Sequence, residues 1–345
     1  MSGKIRAAVA NGGSVLKAAK LSRASWAAGA IAVALAVGMI PCGLAHAQST
    51  GPLIYKPPPR GKTSHAPEIR RNVNLVPVNV TVTDPYGRLV TGLDQENFRV
   101  FEDGKEQQIM RFEEDDVPIS IGMIFDVSGS MADKIGKSRM AAVQFFKTAN
   151  PADEFFLVDF ASRAHLATMF TSSIEELQNQ LLFSSPKGMT ALLDAVYLGM
   201  SEMKQARNAR KALLIISDGG DNHSRYDYDD IKQFLRETDV QIYTIGIISA
   251  DACDRTVEEC DGPGLLQELA SMTGGRSFMV RNLDDLGDIA TKISMELRNQ
   301  YVLGYRPSNT KHDGKWRKIK VKLRPPRGLP PLTVYARYGY YAPGP

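Results

Sequence analysis

ISIGMIFDVSGSM, residues 119–131, decides the fold. Ile119 to Phe125 is an apolar run, typical of a strand buried on both faces. It ends at Asp126, and Ser128 and Ser130 follow at alternate positions. In an open α/β sheet, ligands bind beyond the carboxyl ends of the strands, at the switch point of the strand order. The three oxygen-bearing side chains therefore stand where a site belongs. In a tight loop this spacing turns three oxygens toward one point. Such hard donors suit Mg2+, Mn2+ or Ca2+, and not Zn2+ or copper.

Working outward, strand and helix patterns alternate. Helical stretches are expected around 138–148, 174–182, 192–205, 230–237, 265–272 and 286–299. Strands are expected at 155–160, 212–217, 241–247 and 276–280, with a short edge strand at 166–170. Repeated β-α units imply a doubly wound, mostly parallel α/β sheet over residues 116–300.

The flanks carry strands without helices. Val76, Val78, Val80 and Val82 alternate with other residues, and turn signals follow at Asp84-Pro85-Tyr86-Gly87 and Glu102-Asp103-Gly104-Lys105. After Gln300, Tyr301–Tyr305, Ile319–Leu323 and 332–341 read as strands. Lys318, Lys320, Lys322 and Arg324 face away from the aliphatics of their strand, as on the solvated side of an antiparallel sheet. A short β segment alone has bare edges and a weak core. Segment 73–115 is therefore expected to pair with 301–345 in a small β-sandwich-like domain, with the α/β block inserted between them.

The amino terminus reads as an export signal. Residues 1–47 hold Lys4, Arg6, Lys17, Lys20 and Arg23 and no acid. An Ala-rich apolar run from Trp26 to Leu44 precedes Ala45-His46-Ala47, a cleavage pattern. An uncleaved anchor is the alternative, and would be the one route to membrane association; Pro41 before Cys42 fits a lipoprotein signal poorly. Removing those five positive charges from the formal +4 leaves −1, so the basic balance is no argument for nucleic acid. Residues 48–72, with Pro57-Pro58-Pro59, read as a tether. In an oxidising compartment Cys253 and Cys260 are expected to form a local disulfide within an acidic loop of Asp251, Asp254, Glu258, Glu259 and Asp261. The expected location is thus periplasmic, cell-envelope or secreted.

Two more loops bear on the site. The strand at 212–217 leads into Asp218-Gly219-Gly220-Asp221-Asn222, and Gly188-Met189-Thr190-Ala191-Leu192 opens a helix. DVSGSM, GMTAL and ISDGGDN, in that order and setting, resemble the metal-ion-dependent adhesion site of von Willebrand factor A domains. The resemblance spans about residues 115–300. The flanks, with LVPVNVTVTDPYGRLVTGLDQENFRVFEDGKEQQI before and QYVLGYRPSN, KIKVKL and YGYYA after, resemble a bacterial exported group of such proteins. The resemblance implies direct hydroxyl ligation by Ser128 and Ser130, with Thr190 direct or through water. It implies Asp126 and Asp218 acting mainly through water while accepting hydrogen bonds from the serines. It further implies an open coordination position for a carboxylate of a protein partner, hence a metal-dependent binding or adhesion module.

Taken singly, Asp218 suits a turn, and Ser128 and Ser130 suit a helix cap. Catalysis is not expected. A phosphoryl-transfer aspartate wants a second carboxylate two residues on, where Ser128 stands, and G-x-S-x-G is missing from this region. His65, His165, His223 and His312 show no zinc spacing. The competing readings are an assembly protein with a vestigial metal site and, further off, a metal-assisted hydrolase.

Overall fold

The computed structural model describes residues 75–114, 116–248, 257–326 and 328–344. Four strands come first: β1 (Val76–Thr83), β2 (Phe98–Glu102), β3 (Lys105–Gln107) and β4 (Ile109–Glu113). The α/β block opens with β5 (Ile119–Asp126), α1 (Ile135–Lys147), β6 (Glu154–Phe160) and β7 (Ala164–Thr171). It continues with α2 (Ile174–Phe183), α3 (Leu192–Glu202), β8 (Arg210–Ser217), α4 (Tyr228–Arg236) and β9 (Gln241–Ile247). It ends with α5 (Val257–Thr273), β10 (Ser277–Val280) and α6 (Leu286–Arg298). The chain closes on β11 (Tyr301–Tyr305), β12 (Trp316–Leu323), β13 (Thr333–Ala336) and β14 (Gly339–Tyr341).

The apolar runs become the middle of one twisted sheet, ordered β10-β9-β8-β5-β6-β7. Every pairing in it is parallel except β7 on β6 at the edge. All eight residues of β5 are buried, which explains their near-continuous apolarity. One face is covered by α1, α2 and α6 through Phe145, Phe146, Leu177, Leu181, Ile293 and Leu297. The other is covered by α3, α4 and α5 through Leu192, Val196, Ile231, Leu235, Leu266 and Leu269. This is the doubly wound α/β architecture that the alternating pattern implies. Gly122 lets β5 fit between its neighbours. A Cβ there would lie 2.2 Å from the Phe156 ring and 2.5 Å from Leu213.

The flanking strands form two four-stranded sheets, β13-β1-β11-β4 and β14-β12-β2-β3. Each contains strands from before and after the α/β block. β11 lies antiparallel between β1 and β4, with Val78 opposite Leu303 and Phe112 opposite Leu303 on the other side. One core joins both sheets: Val78, Val80, Val82, Phe98, Val100, Tyr301, Leu303, Tyr305 and Ile319. Within it the Glu102 carboxylate accepts the hydroxyls of Tyr305 at 2.7 Å and Tyr340 at 3.0 Å. A buried polar knot ties this layer to the α/β block. Gln300 donates to Thr81 Oγ1 at 3.0 Å and to the Tyr243 hydroxyl at 3.1 Å, and those two oxygens lie 3.3 Å apart.

Two segments differ from the sequence expectation. The helix expected over 265–272 begins at Val257 and runs through Pro263. Gly262 packs backbone to backbone on Gly219, where a Cβ would meet the Gly219 carbonyl carbon at 2.5 Å. That tertiary contact overrides the breaker signal of Gly262-Pro263-Gly264. Glu258, Glu259 and Asp261 therefore lie on a helix and not in a loop. The helix expected to reach Gln205 ends at Glu202 and tightens into a 3-10 turn. Cys260 is disulfide-bonded. Cys253, Asp251, Asp254, the export signal expected over 1–47 and the tether expected over 48–72 lie outside the described residues. No helix among the described residues is long and apolar enough to cross a membrane.

Gly122→Ala is expected to lower folding stability by about 1–3 kcal/mol, the scale of core overpacking. Denaturant unfolding midpoints of the two proteins check this.

Candidate metal centre at the sheet edge

β6 and β8 lie on opposite sides of β5, so the strand order reverses at β5. Asp126 ends β5, and Asp218 follows the last residue of β8. The two acids thus meet at one end of adjacent parallel strands. Gly188 and Gly219 hold the loops around them in left-handed backbone, with φ of +84° and +90°, where a side chain is strained. The loop after β5 is stitched to the Thr190 loop by Gly129 N donating to Gly188 O at 3.0 Å and Lys187 N to Val127 O at 2.9 Å.

Asp126 is fully buried. Its Oδ1 accepts the Ser128 amide at 2.8 Å and its Oδ2 the Ser217 hydroxyl at 2.5 Å. Burial, and then the charge of Asp218, push its carboxyl up to about 7, against the pull of the hydrogen bonds from Ser128 and Ser217. The Ser128 and Ser130 hydroxyls lie 3.1 Å apart. Ser128 is fully buried and Ser130 partly so. Thr190 is buried, and its backbone is pinned to the Asp218 loop. Its amide donates to the Asn222 side-chain oxygen at 2.9 Å, and its carbonyl accepts the Asn222 and His223 amides at 3.0 and 3.1 Å.

Asp218 has two differently treated oxygens. Oδ2 accepts the Lys134 ammonium at 3.0 Å, and the same ammonium donates to the Ser130 carbonyl at 3.0 Å. Oδ1 is buried without a hydrogen-bond partner. A buried carboxylate oxygen left unpaired is costly, so its presence calls for a cation or a donor. With two carboxylates and the Ser128 and Ser130 hydroxyls at this edge, and Thr190 on a loop bonded to that of Asp218, the donor set is hard and low in charge. It fits Mg2+, Mn2+ or Ca2+. Among the described residues, no group of three or more His, Cys, Asp or Glu offers an alternative metal cluster.

Of the five residues expected from the sequence, Asp126 ends β5, Ser128 and Ser130 lie on the loop after it, Asp218 lies on the loop after β8, and Thr190 lies on the loop before α3. The sequence reading missed four supporting groups. Ser217 grips Asp126, and its hydroxyl also accepts the Gly219 amide at 3.0 Å. Lys134 reaches Asp218. Asn222 holds Thr190, and Asp221 binds the Leu193 amide at 2.7 Å and the Ser224 hydroxyl at 2.6 Å. For Ser217 a signal existed: as the last residue of a parallel strand beside Asp126, it was bound to face the same edge.

Fold and loops together define a doubly wound α/β domain with a hydroxyl-and-carboxylate centre at its switch point. Residues 122–220 match the von Willebrand factor type A domain family, and the chain carries such a domain. No curated protein matches the chain. Among solved structures it is similar to BatB, a conserved hypothetical protein of Bacteroides thetaiotaomicron, at 18% identity and TM-score 0.42, covering 52% of this chain and 98% of that one. It is similar to the vWF domain of the type V pili tip protein Mfa5 of Porphyromonas gingivalis at 13% identity and TM-score 0.43, covering 52% and 96%. It is also similar to a von Willebrand factor type A protein of Catenulispora acidiphila at 12% identity and TM-score 0.45, covering 77% and 74%.

The raised Asp126 carboxyl has a pH consequence. Folded protein holds a proton there that the unfolded chain releases between pH 3.8 and about 7. Its contribution to stability is full below that window and lost as pH rises through about 7. In chelator, the unfolding midpoint of wild type should fall between about pH 5 and about pH 8 more steeply than that of Asp126→Asn.

Proposed function

We propose that this chain is a divalent-cation-dependent protein-binding module acting outside the cytoplasm. One observation carries the reading: the unpartnered Asp218 Oδ1, buried on the same edge as Asp126 and the Ser128 and Ser130 hydroxyls. Ser128, Ser130 and Thr190 would supply hydroxyl ligands, while Asp126 and Asp218 would balance the ion's charge. A bound Mg2+, Mn2+ or Ca2+ supplies a positive centre for an acidic group. With few direct carboxylate ligands, it keeps most of its attraction for a carboxylate from a partner.

The chain's own residues favour an acidic ligand. Lys187 and His223 are exposed on the two loops that flank Thr190. Met189, on the same loop as Lys187 and 47% exposed, offers an apolar contact. Ser217 and the Ser128 amide fix the Asp126 carboxylate so that both of its oxygens are already engaged. An envelope or secreted location accords with the leader-like residues 1–47.

A second reading has its own observation. Lys134 already neutralises Asp218. A chain that relies on that ammonium alone would be an assembly protein whose contacts need no metal.

Calorimetry with Mg2+, Mn2+ and Ca2+ tests the first reading. Folded wild type should bind one ion, and Ser128→Ala and Asp126→Ala should abolish the heat. Ser217→Ala, which removes a support and no ligand, should weaken binding by about 10–100-fold. Absence of binding by folded wild type removes the metal from the account. Capture of exported partners should fail in EDTA; capture that survives EDTA favours the assembly reading.

A further inference from the structure

Lys134 is an unusual neighbour for a cation site. It stands just before α1 with only 4% of its surface exposed. Its ammonium makes two bonds, both inside the centre: to the Ser130 carbonyl and to Asp218 Oδ2, each at 3.0 Å. In that ion pair the side chains are 5% and 8% exposed, so water screens it little. A buried lysine ammonium is costly unless it is paired, and here Asp218 supplies the partner. Counting only the two carboxylates at the centre and the ammonium bonded to one of them, Asp126 and Asp218 are negative and Lys134 is positive. With both acids ionised they sum to one negative charge; without the lysine they would sum to two.

We propose that Lys134 is a tethered counter-ion that competes with the divalent ion for Asp218. This inference rests on the metal-binding reading above and adds how the site is regulated. With no ion bound, the ammonium holds Asp218 in place and offsets the repulsion between two buried carboxylates. When an ion binds, the lysine's charge opposes it, and its hold on Asp218 Oδ2 must weaken. The site therefore stays folded without metal, at the expense of affinity. It fills only where divalent ions are plentiful, as outside a cell, and empties without unfolding when they are scarce.

The test is Mn2+ calorimetry and thermal unfolding on four full-length proteins: wild type, Lys134→Gln, Lys134→Arg and Lys137→Gln. Lys137 is a control for net charge, since it pairs with Asp284 at the surface, 48% and 73% exposed. Lys134→Gln should bind Mn2+ about tenfold or more tightly than wild type, because one nearby opposing charge is gone. Lys134→Arg and Lys137→Gln should bind as wild type does. In EDTA, Lys134→Gln should melt below wild type, and saturating Mn2+ should raise its melting temperature more than it raises that of wild type. Binding by Lys134→Gln alone, with none by wild type at saturating Mn2+, would overturn the metal reading for this chain and the inference with it. Equal affinity in wild type and Lys134→Gln overturns the inference while leaving the metal site standing. Equal tightening by Lys137→Gln overturns it too, by showing an effect of overall charge. No binding by any of the four overturns the metal reading and the inference together.

Discussion

Two carboxylates are held at one buried edge of a sheet, and the rest of the site answers to their repulsion. Asp126 ends β5 and Asp218 directly follows the paired parallel strand β8, so the sheet brings them to the same edge whatever their charges prefer. Low-dielectric surroundings make like charges there expensive. Burial, and then the charge of Asp218, raises the Asp126 carboxyl to about 7, donors satisfy both Asp126 oxygens, and a lysine sits on one oxygen of Asp218. One oxygen remains without a donor, and that residual demand gives the centre its chemistry.

The scaffold around this constraint is rigid where it matters. β5 is buried on both faces and packed through Gly122, so Asp126 has little freedom to retreat. The loop after β8 is pressed by Gly262 against Gly219. The two-sheet layer built from both flanks is joined to the α/β block by the Thr81, Tyr243 and Gln300 knot. Because β4 and β11 pair directly, the chain enters and leaves the block at neighbouring points. The opposite, carboxyl end of the sheet is left to the site loops.

Much of this was legible in the residues. The run from Ile119 to Phe125 marks a central strand because both its faces are covered. The carboxylate at its end marks the switch point because strands of such sheets present their termini there. Alternating valines from Val76 to Val82 show one buried side of a flanking sheet. Other features depend on contacts distant in sequence. Nothing local tells that Lys134, four residues beyond Ser130, reaches across to Asp218. Gly262-Pro263 reads as a helix breaker, yet the helix runs through it with Gly262 packed on Gly219. Pairings between the two flanks close 180 residues or more apart, as Val76 opposite Tyr305 shows, whereas β2 with β3 and β12 with β14 are local. The strand runs and site loops are local; the charge balance of the centre is not.

The most direct test of the central claim is an anomalous difference map from crystals of the whole chain grown with Mn2+. The account predicts one strong peak at the sheet edge, among the side-chain oxygens of Ser128, Ser130 and Asp218. A map with no peak there, or with the ion bound elsewhere on the protein, would contradict it.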